Sequence, residues 1–158
     1  MKDKVFFERL EPIRGRLYRM AYPYFNSESM AIDAVDEAVY KGYLKKNQLK
    51  EEAFFETWMV RILLNVCNTK YKKTKDFVCI EELSETAVES EFDSIDLKEA
   101  IQRLPAKYKQ IILLKFFSGY GIVEIAGILE IPQGTVASRL RKALATLRID
   151  LTEGDINE

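Results

Sequence analysis

The chain has 158 residues, 47% of them hydrophobic and 31% charged, with a formal net charge of −1; this balance supports a globular core and excludes a disordered polymer. It contains no run of about 18 apolar residues, so no spanning segment is expected, and its start, Met1-Lys2-Asp3-Lys4, is too charged for a secretory signal. Histidine is missing and only Cys67 and Cys79 are present, which removes the commonest general base and any zinc site of ordinary spacing; the expectation is a reduced, cytoplasmic protein with no metal, cofactor or catalytic residue.

Taken in order, residues 5–24 carry apolar side chains at helical spacing: Phe6, Leu10, Ile13, Leu17, Met20, Ala21 and Tyr24. Asn26-Ser27 breaks that pattern and offers a cap to a second helix, about Glu28 to Leu44. A polar loop, Lys45 to Gln48, leads to a third helix, about Glu51 to Lys73. Its apolar stripe is Phe55, Trp58, Met59, Ile62, Leu63 and Val66, with Val60 and Leu64 off that stripe. A separate polar stripe holds Thr57, Arg61, Asn65, Asn68 and Lys72. Cations suit phosphates and amides suit base edges, although a solvated face with lysines near a helix C-terminus would have the same composition. Helical periodicity lapses from Asp76 to Ser94 and returns at Asp96. The run Phe77 to Ile80 is too short to build a sheet. The expected fold is all-α, with two small helical domains at 1–75 and 97–149, a linker at 76–96 and a tail at 150–158.

The charge is unevenly spread. Residues 1–75 hold 15 basic and 10 acidic side chains, 76–97 hold none and eight, 98–148 hold nine and three, and 149–158 hold none and four. Two basic blocks are thus separated by an acidic segment, which is a statement about partners rather than fold.

The last third contains a helix pattern at Ile122 to Leu129, a turn at Glu130 to Gln133 and a basic helix from Gly134 to Leu147. Val136, Leu140, Ala143, Leu144 and Leu147 repeat as one buried face. Thr135, Ser138, Arg139, Arg141 and Lys142 remain outside or at its flank. This is the pattern of a helix-turn-helix whose second helix enters a DNA major groove; an αα-hairpin that binds a protein would share the packing pattern but not the placement of arginines.

These residues resemble the extracytoplasmic-function sigma factors of the sigma-70 family, which keep only region 2 and region 4. The C-terminal likeness lies in Ala100 to Tyr108, in Glu124-Ile125-Ala126 and in Pro132 to Leu140. The N-terminal likeness lies in Ala31 to Tyr40 and in Thr57 to Asn65. The resemblance implies that Asp33, Asp36, Glu37 and Tyr40 meet the β′ clamp helices of core RNA polymerase. It further implies that Lys45, Lys46, Asn47, Arg61, Asn65, Asn68, Lys72 and Lys73 engage the −10 element of promoter DNA. Thr135, Ser138, Arg139, Arg141 and Lys142 are then expected to read −35 DNA, with region 4 also touching the β flap and the acidic linker threading a basic polymerase channel. A membrane-anchored anti-sigma factor is the implied regulator. The chain departs from the family pattern at Ile32-Asp33, Asp36, Asn68, Gly121 and Ala137. A free-standing helix-turn-helix regulator and a protein-binding helical adaptor are the alternative readings.

Overall fold

Pro12 determines how the chain begins. In this computed structural model, which describes residues 1–78 and 93–156, the expected first helix is divided into α1 (Asp3–Leu10), a 3-10 turn (Glu11–Ile13) and α2 (Arg14–Phe25). Pro12 lies at the start of the 3-10 turn, where a missing N–H is tolerated. Asn26 ends α2 in the left-handed conformation, φ 47°, and its N–H reaches Tyr22 O at 2.9 Å. The Ser27 hydroxyl then accepts from the Met30 N–H at 3.3 Å and caps α3 (Glu28–Leu44).

Two 3-10 turns, Lys46–Gln48 and Glu52–Phe54, lead into α4 (Phe55–Val78). This helix starts later and ends later than its apolar pattern implies, and α5 (Asp93–Arg103) begins inside the expected linker. Both ends of that linker are therefore helical; its centre, with Cys79 and most of its acids, lies outside the described residues. After Pro105 comes α6 (Ala106–Ile112), which continues as a π-turn over Leu113–Phe117. There the Ser118 N–H reaches back to Leu113 O at 3.1 Å. The wider turn leaves Phe116 and Phe117 exposed, and Gly119 turns the chain away at φ 73°. The last pair is α7 (Ile122–Leu129) and α8 (Gln133–Ile156). The expected tail is thus helical as far as Ile156. Every regular element among the described residues is helical, and no described helix is long and apolar enough to cross a membrane.

The main departure from a pair of linked domains is in the packing. One continuous core joins Phe6, Leu10, Leu17, Met20, Met59 and Leu63 of the N-terminal half to Ile111, Leu114, Ile125, Ile128 and Val136 of the C-terminal half. A second, smaller core of Ala100, Ile101, Leu104, Ile112, Ala143 and Leu147 belongs to the C-terminal half alone. Helices α2 and α4 together carry the contact between the halves, since α2 packs on α5 and the π-turn while α4 packs on α7. Val60 and Leu64 are buried with Phe55, Met59, Leu63 and Val66 of the expected stripe, whereas Trp58 and Ile62 of that stripe are half-buried. At about 100° per residue the residues around Val60 and Leu64 on the helix are Glu56 on one flank, Asn68 and Arg61 on the other, and Tyr71 on the line between the two. All four of these residues bond to, or line clefts shared with, the C-terminal half.

Close approach of α3 to α4 depends on Gly42, where an added Cβ would come within 2.5 Å of the buried Met59 Sδ. Gly42→Ala is therefore expected to lower stability by about 1–3 kcal/mol, the usual cost of overpacking; urea unfolding measures it, and an unchanged midpoint would show that Met59 moves aside freely.

Candidate nucleic-acid interface

In the C-terminal half the helix-turn-helix forms from ordinary local preferences. The Gly121 N–H donates to Glu124 Oε1 at 3.4 Å, which secures the start of α7 without a side-chain cap from residue 121. The Pro132 carbonyl accepts from the Thr135 and Val136 N–H groups at 3.0 and 3.1 Å and opens α8. Val136, Ala143 and Leu147 are buried. Thr135, Ser138, Arg139 and Lys142 share an arc of about 100° on another face, at the helical 100° per residue, and Arg141 sits at its flank. Arg141 and Lys142 are exposed, while Thr135, Ser138 and Arg139 are half-buried. Leu144, expected in the core face, is partly exposed at 37%, because it borders an apolar cleft rather than the core. That cleft, about 520 Å³, is lined by Leu97, Ile101, Phe116, Phe117, Leu144 and Leu147 among others.

The N-terminal half distributes its expected residues less simply. Asn65, Lys72 and Lys73 are exposed along α4. Arg61 instead forms an ion pair with Glu130, the residue that ends α7. Its guanidinium holds the Glu130 carboxyl below the usual carboxylate range, through their hydrogen bond first and their charges second. Asn68 faces a cleft shared with Gln102, Leu104 and Lys109, and its side-chain oxygen is buried with no hydrogen-bond partner. In the loop after α3, Lys45 is exposed. Lys46 Nζ lies 3.1 Å from Asp3 Oδ1 and 4.1 Å from the Tyr43 ring centroid. Asn47 Oδ1 accepts from the N-terminal amine at 3.1 Å. The loop is thus tied to the chain start, a role that polarity alone did not indicate.

On α3, Asp33, Asp36 and Tyr40 are exposed, Tyr40 at 63%. Glu37 is held between Lys41 (3.7 Å) and Lys70 (3.2 Å). Asp36 opens onto a cleft of about 410 Å³ shared with Arg14, Tyr18 and Ile32. The four residues therefore lie on one helix, but Glu37 spends its charge within the protein.

Four residues outside the expected sets, Arg16, Glu56, Lys109 and Tyr120, join the halves. Glu56 Oε1 accepts from the Tyr120 hydroxyl at 2.9 Å and pairs with Arg16. Burial, reinforced by the Glu56 hydrogen bond, pushes the Tyr120 phenol up to about 12. Tyr120 and Glu56, in that order, raise the Arg16 guanidinium. Lys109 is 1% exposed, with Nζ 3.7 Å from the Tyr71 ring centroid and 5.2 Å from that of Tyr24. No spacing rule would have singled it out, since it reads as one surface cation among many. Among the described residues no group of three or more metal-binding side chains comes together.

Known proteins give this geometry a context. The family model of sigma-70 region 4 matches residues 94–147. The chain is 33% identical to RNA polymerase sigma factor SigV of Bacillus subtilis, over 89% of this chain and 87% of that protein. It is 27% identical to the ECF RNA polymerase sigma factor SigW of the same organism, over 94% and 89%. In fold it is similar to the sigma factor RpoE bound to the anti-sigma factor NepR from Bartonella quintana (TM-score 0.72, 23% identity, 94% and 98% covered). It is also similar to CnrH bound to the cytosolic domain of CnrY (TM-score 0.74, 18% identity, 96% and 90% covered). Likeness along nearly the whole chain favours the two-part reading over a free-standing helix-turn-helix regulator.

Because Glu56 serves both Arg16 and Tyr120, Glu56→Gln is expected to lower stability by about 1–2 kcal/mol, the range for hydrogen bonds to a partly exposed charge. Tyr120→Phe is expected to cost less. Urea unfolding of the two variants and their combination measures the coupling, and purely additive losses would show that the bond carries nothing.

Proposed function

The chain belongs to the extracytoplasmic-function sigma factors of the sigma-70 family, and from that membership we propose how its residues divide the work of an RNA polymerase sigma factor. The exposed side of α8 reads the −35 element. Arg139 takes a base edge, bidentate where that base is guanine, while Thr135, Ser138, Arg141 and Lys142 hold phosphates and set the register. The observation that carries this reading is the placement of these five residues off the buried Val136–Ala143–Leu147 face of a helix-turn-helix. Ala137 contributes no charge near the start of that helix, which leaves Arg139 more of the discrimination.

The polar stripe of α4 engages the −10 strand. Arg61, Lys72 and Lys73 neutralise its phosphates, and Asn65 and Asn68 hydrogen-bond its bases; Lys45, Lys46 and Asn47 flank an unstacked base. Asp33, Asp36 and Tyr40 on α3 dock onto the clamp helices of the β′ subunit, with Glu37 as the buttress that holds Lys41 and Lys70 beside them. The apolar cleft around Phe116 and Leu144 receives the β flap. Each DNA contact is weak alone, and the polymerase supplies the fixed spacing that turns two weak contacts into one specific one. The work is recognition and strand capture in the cytoplasm, with no covalent step. A membrane-anchored anti-sigma factor that covers the polymerase-binding faces is the proposed regulator; the likeness in fold to a sigma factor solved with an anti-sigma factor, and to CnrH solved with the cytosolic domain of CnrY, supports a protein partner, without bearing on its anchor or on the faces it covers.

Run-off transcription with bacterial core polymerase tests the assignment. Arg139→Ala is expected to lower transcription from −35-dependent promoters by roughly 5- to 150-fold, corresponding to about 1–3 kcal/mol of base discrimination, with core binding unchanged. Equal loss of transcription and core binding would assign the helix to polymerase docking instead.

A further inference from the structure

The loop assigned to the unstacked −10 base, Lys45 to Asn47, stands on an aromatic base of its own. Tyr43, in the last turn of α3, packs edge-on against Phe6 (ring centroids 5.8 Å apart, planes at 76°) and stacks on Phe7 (5.9 Å, 28°). Phe6, fully buried, also meets Phe55, the first residue of α4, edge-on at 5.4 Å. One ring of α1 thus sets both stems of the loop, α3 before it and α4 after it, in the edge-to-face geometry that aromatic pairs favour.

The stems leave the interior of the loop undetermined, and Asp3 determines it. Its Oδ2 accepts from the Tyr43 hydroxyl at 3.0 Å, and its Oδ1 lies 3.1 Å from Lys46 Nζ. Lys46 Nζ in turn lies 4.1 Å from the Tyr43 ring centroid, within reach of a cation–π contact. Carboxylate, phenol and ammonium form a closed triangle in which each member touches the other two. Lys46 first and Tyr43 second hold the Asp3 carboxyl below its usual range. The Lys46 side chain is only 16% exposed, whereas Lys45 and Asn47 on either side of it are exposed. Asn47 meets Met1 N through Oδ1 at 3.1 Å, which leaves its amide N–H donors for an acceptor on a base.

An ion pair with one partner open to water adds little to global stability. What the triangle does is select one conformation for a side chain that has many rotamers. Lys46 is the first residue of the 3-10 turn Lys46–Gln48. Fixing its ammonium fixes that turn, and with it the directions in which Lys45 and Asn47 leave the backbone.

We propose that Asp3 is a positioning residue for −10 base selection: through Tyr43 and Lys46 it holds the turn after α3 so that Lys45 and Asn47 meet one unstacked base in a set orientation. The proposal rests on the −10 reading of that loop given above. It makes α1 part of the reader through a side chain that does not itself touch the base. Freeing Lys46 gives the loop one more mobile cation and less geometry, so attraction to phosphate is kept while the choice of base is lost.

The test uses the full chain, Asp3→Asn and Tyr43→Phe, the second of which loosens the triangle without changing charge. Acetylation by sulfosuccinimidyl acetate, read by peptide mass spectrometry, compares Lys46 with its exposed neighbour Lys45. Run-off transcription with bacterial core polymerase then uses one promoter mapped with the unaltered chain, with every −10 position changed to each base in turn. Asp3→Asn is expected to raise acetylation of Lys46 relative to Lys45 by about threefold, the scale of a lost exposed ion pair. It is expected to cut the preference for the best base over the worst at one −10 position by roughly fivefold, within the range that one base contact commands, with the other −10 positions unchanged. Tyr43→Phe is expected to move both readouts in the same direction by less. Unchanged acetylation of Lys46 overturns the triangle. A base profile that stays intact, or falls alike at every position, overturns the positioning role. Should circular dichroism show lost helix in Asp3→Asn, Tyr43→Phe alone decides, and an unchanged base profile in that variant overturns the proposal. The two readings fail differently. If the unaltered chain shows no base preference at any −10 position, the −10 reading falls and the proposal with it; a preference that survives Asp3→Asn removes the positioning role alone.

Discussion

The structure depends on α4 being buried from two directions. A helix with one apolar stripe can wall a single bundle, but α4 carries Val60 and Leu64 beside the stripe of Phe55, Met59, Leu63 and Val66, and all six are buried. The first set of contacts builds the N-terminal bundle, and the second gives the C-terminal half a surface to rest on. Part of the polar remainder of the helix is gathered on one face. Arg61, Asn65 and Lys72 lie on that face and Asn68 at its edge, so the helix that fixes the fold is also the one that meets nucleic acid in the proposed function.

That double duty explains the mixed accuracy of the sequence reading. The helices around Glu28 to Leu44 and Ile122 to Leu129 were legible because strong caps and short turns bound them, at Ser27 and at Glu130 respectively. The basic face of α8 was legible because its buried repeat of Val136, Ala143 and Leu147 leaves only one place for the arginines. The split of the first helix follows from Pro12, whose local effect outweighed a continuous apolar period. The π-turn after Ile112 had no sequence signal, because a single wider turn leaves the apolar pattern intact. Contacts between the halves were hidden for a different reason. Lys109, Tyr120, Glu56 and Glu130 are separated by long stretches of chain, and each alone looks like an ordinary surface residue.

The polar expectations were least reliable where charges serve the protein itself. Lys46 and Asn47 hold the chain start through Asp3 and the N-terminal amine. Glu37 holds two lysines. Composition identified a polar face, but only geometry separates a charge that is spent internally from one that faces outward. The same distinction applies to the acidic character of the chain. A net charge of −1 gives no hint of DNA, whereas the basic stripes on α4 and α8 do.

The central claim is that the two halves rest on α4 in the free protein rather than hanging from a linker. Small-angle X-ray scattering of the full chain tests it most directly. A closed chain of this length should give a radius of gyration of about 15 Å, the value for a compact domain of its size. A value well above about 20 Å, with a scattering curve that fits two separated bodies, would contradict the account.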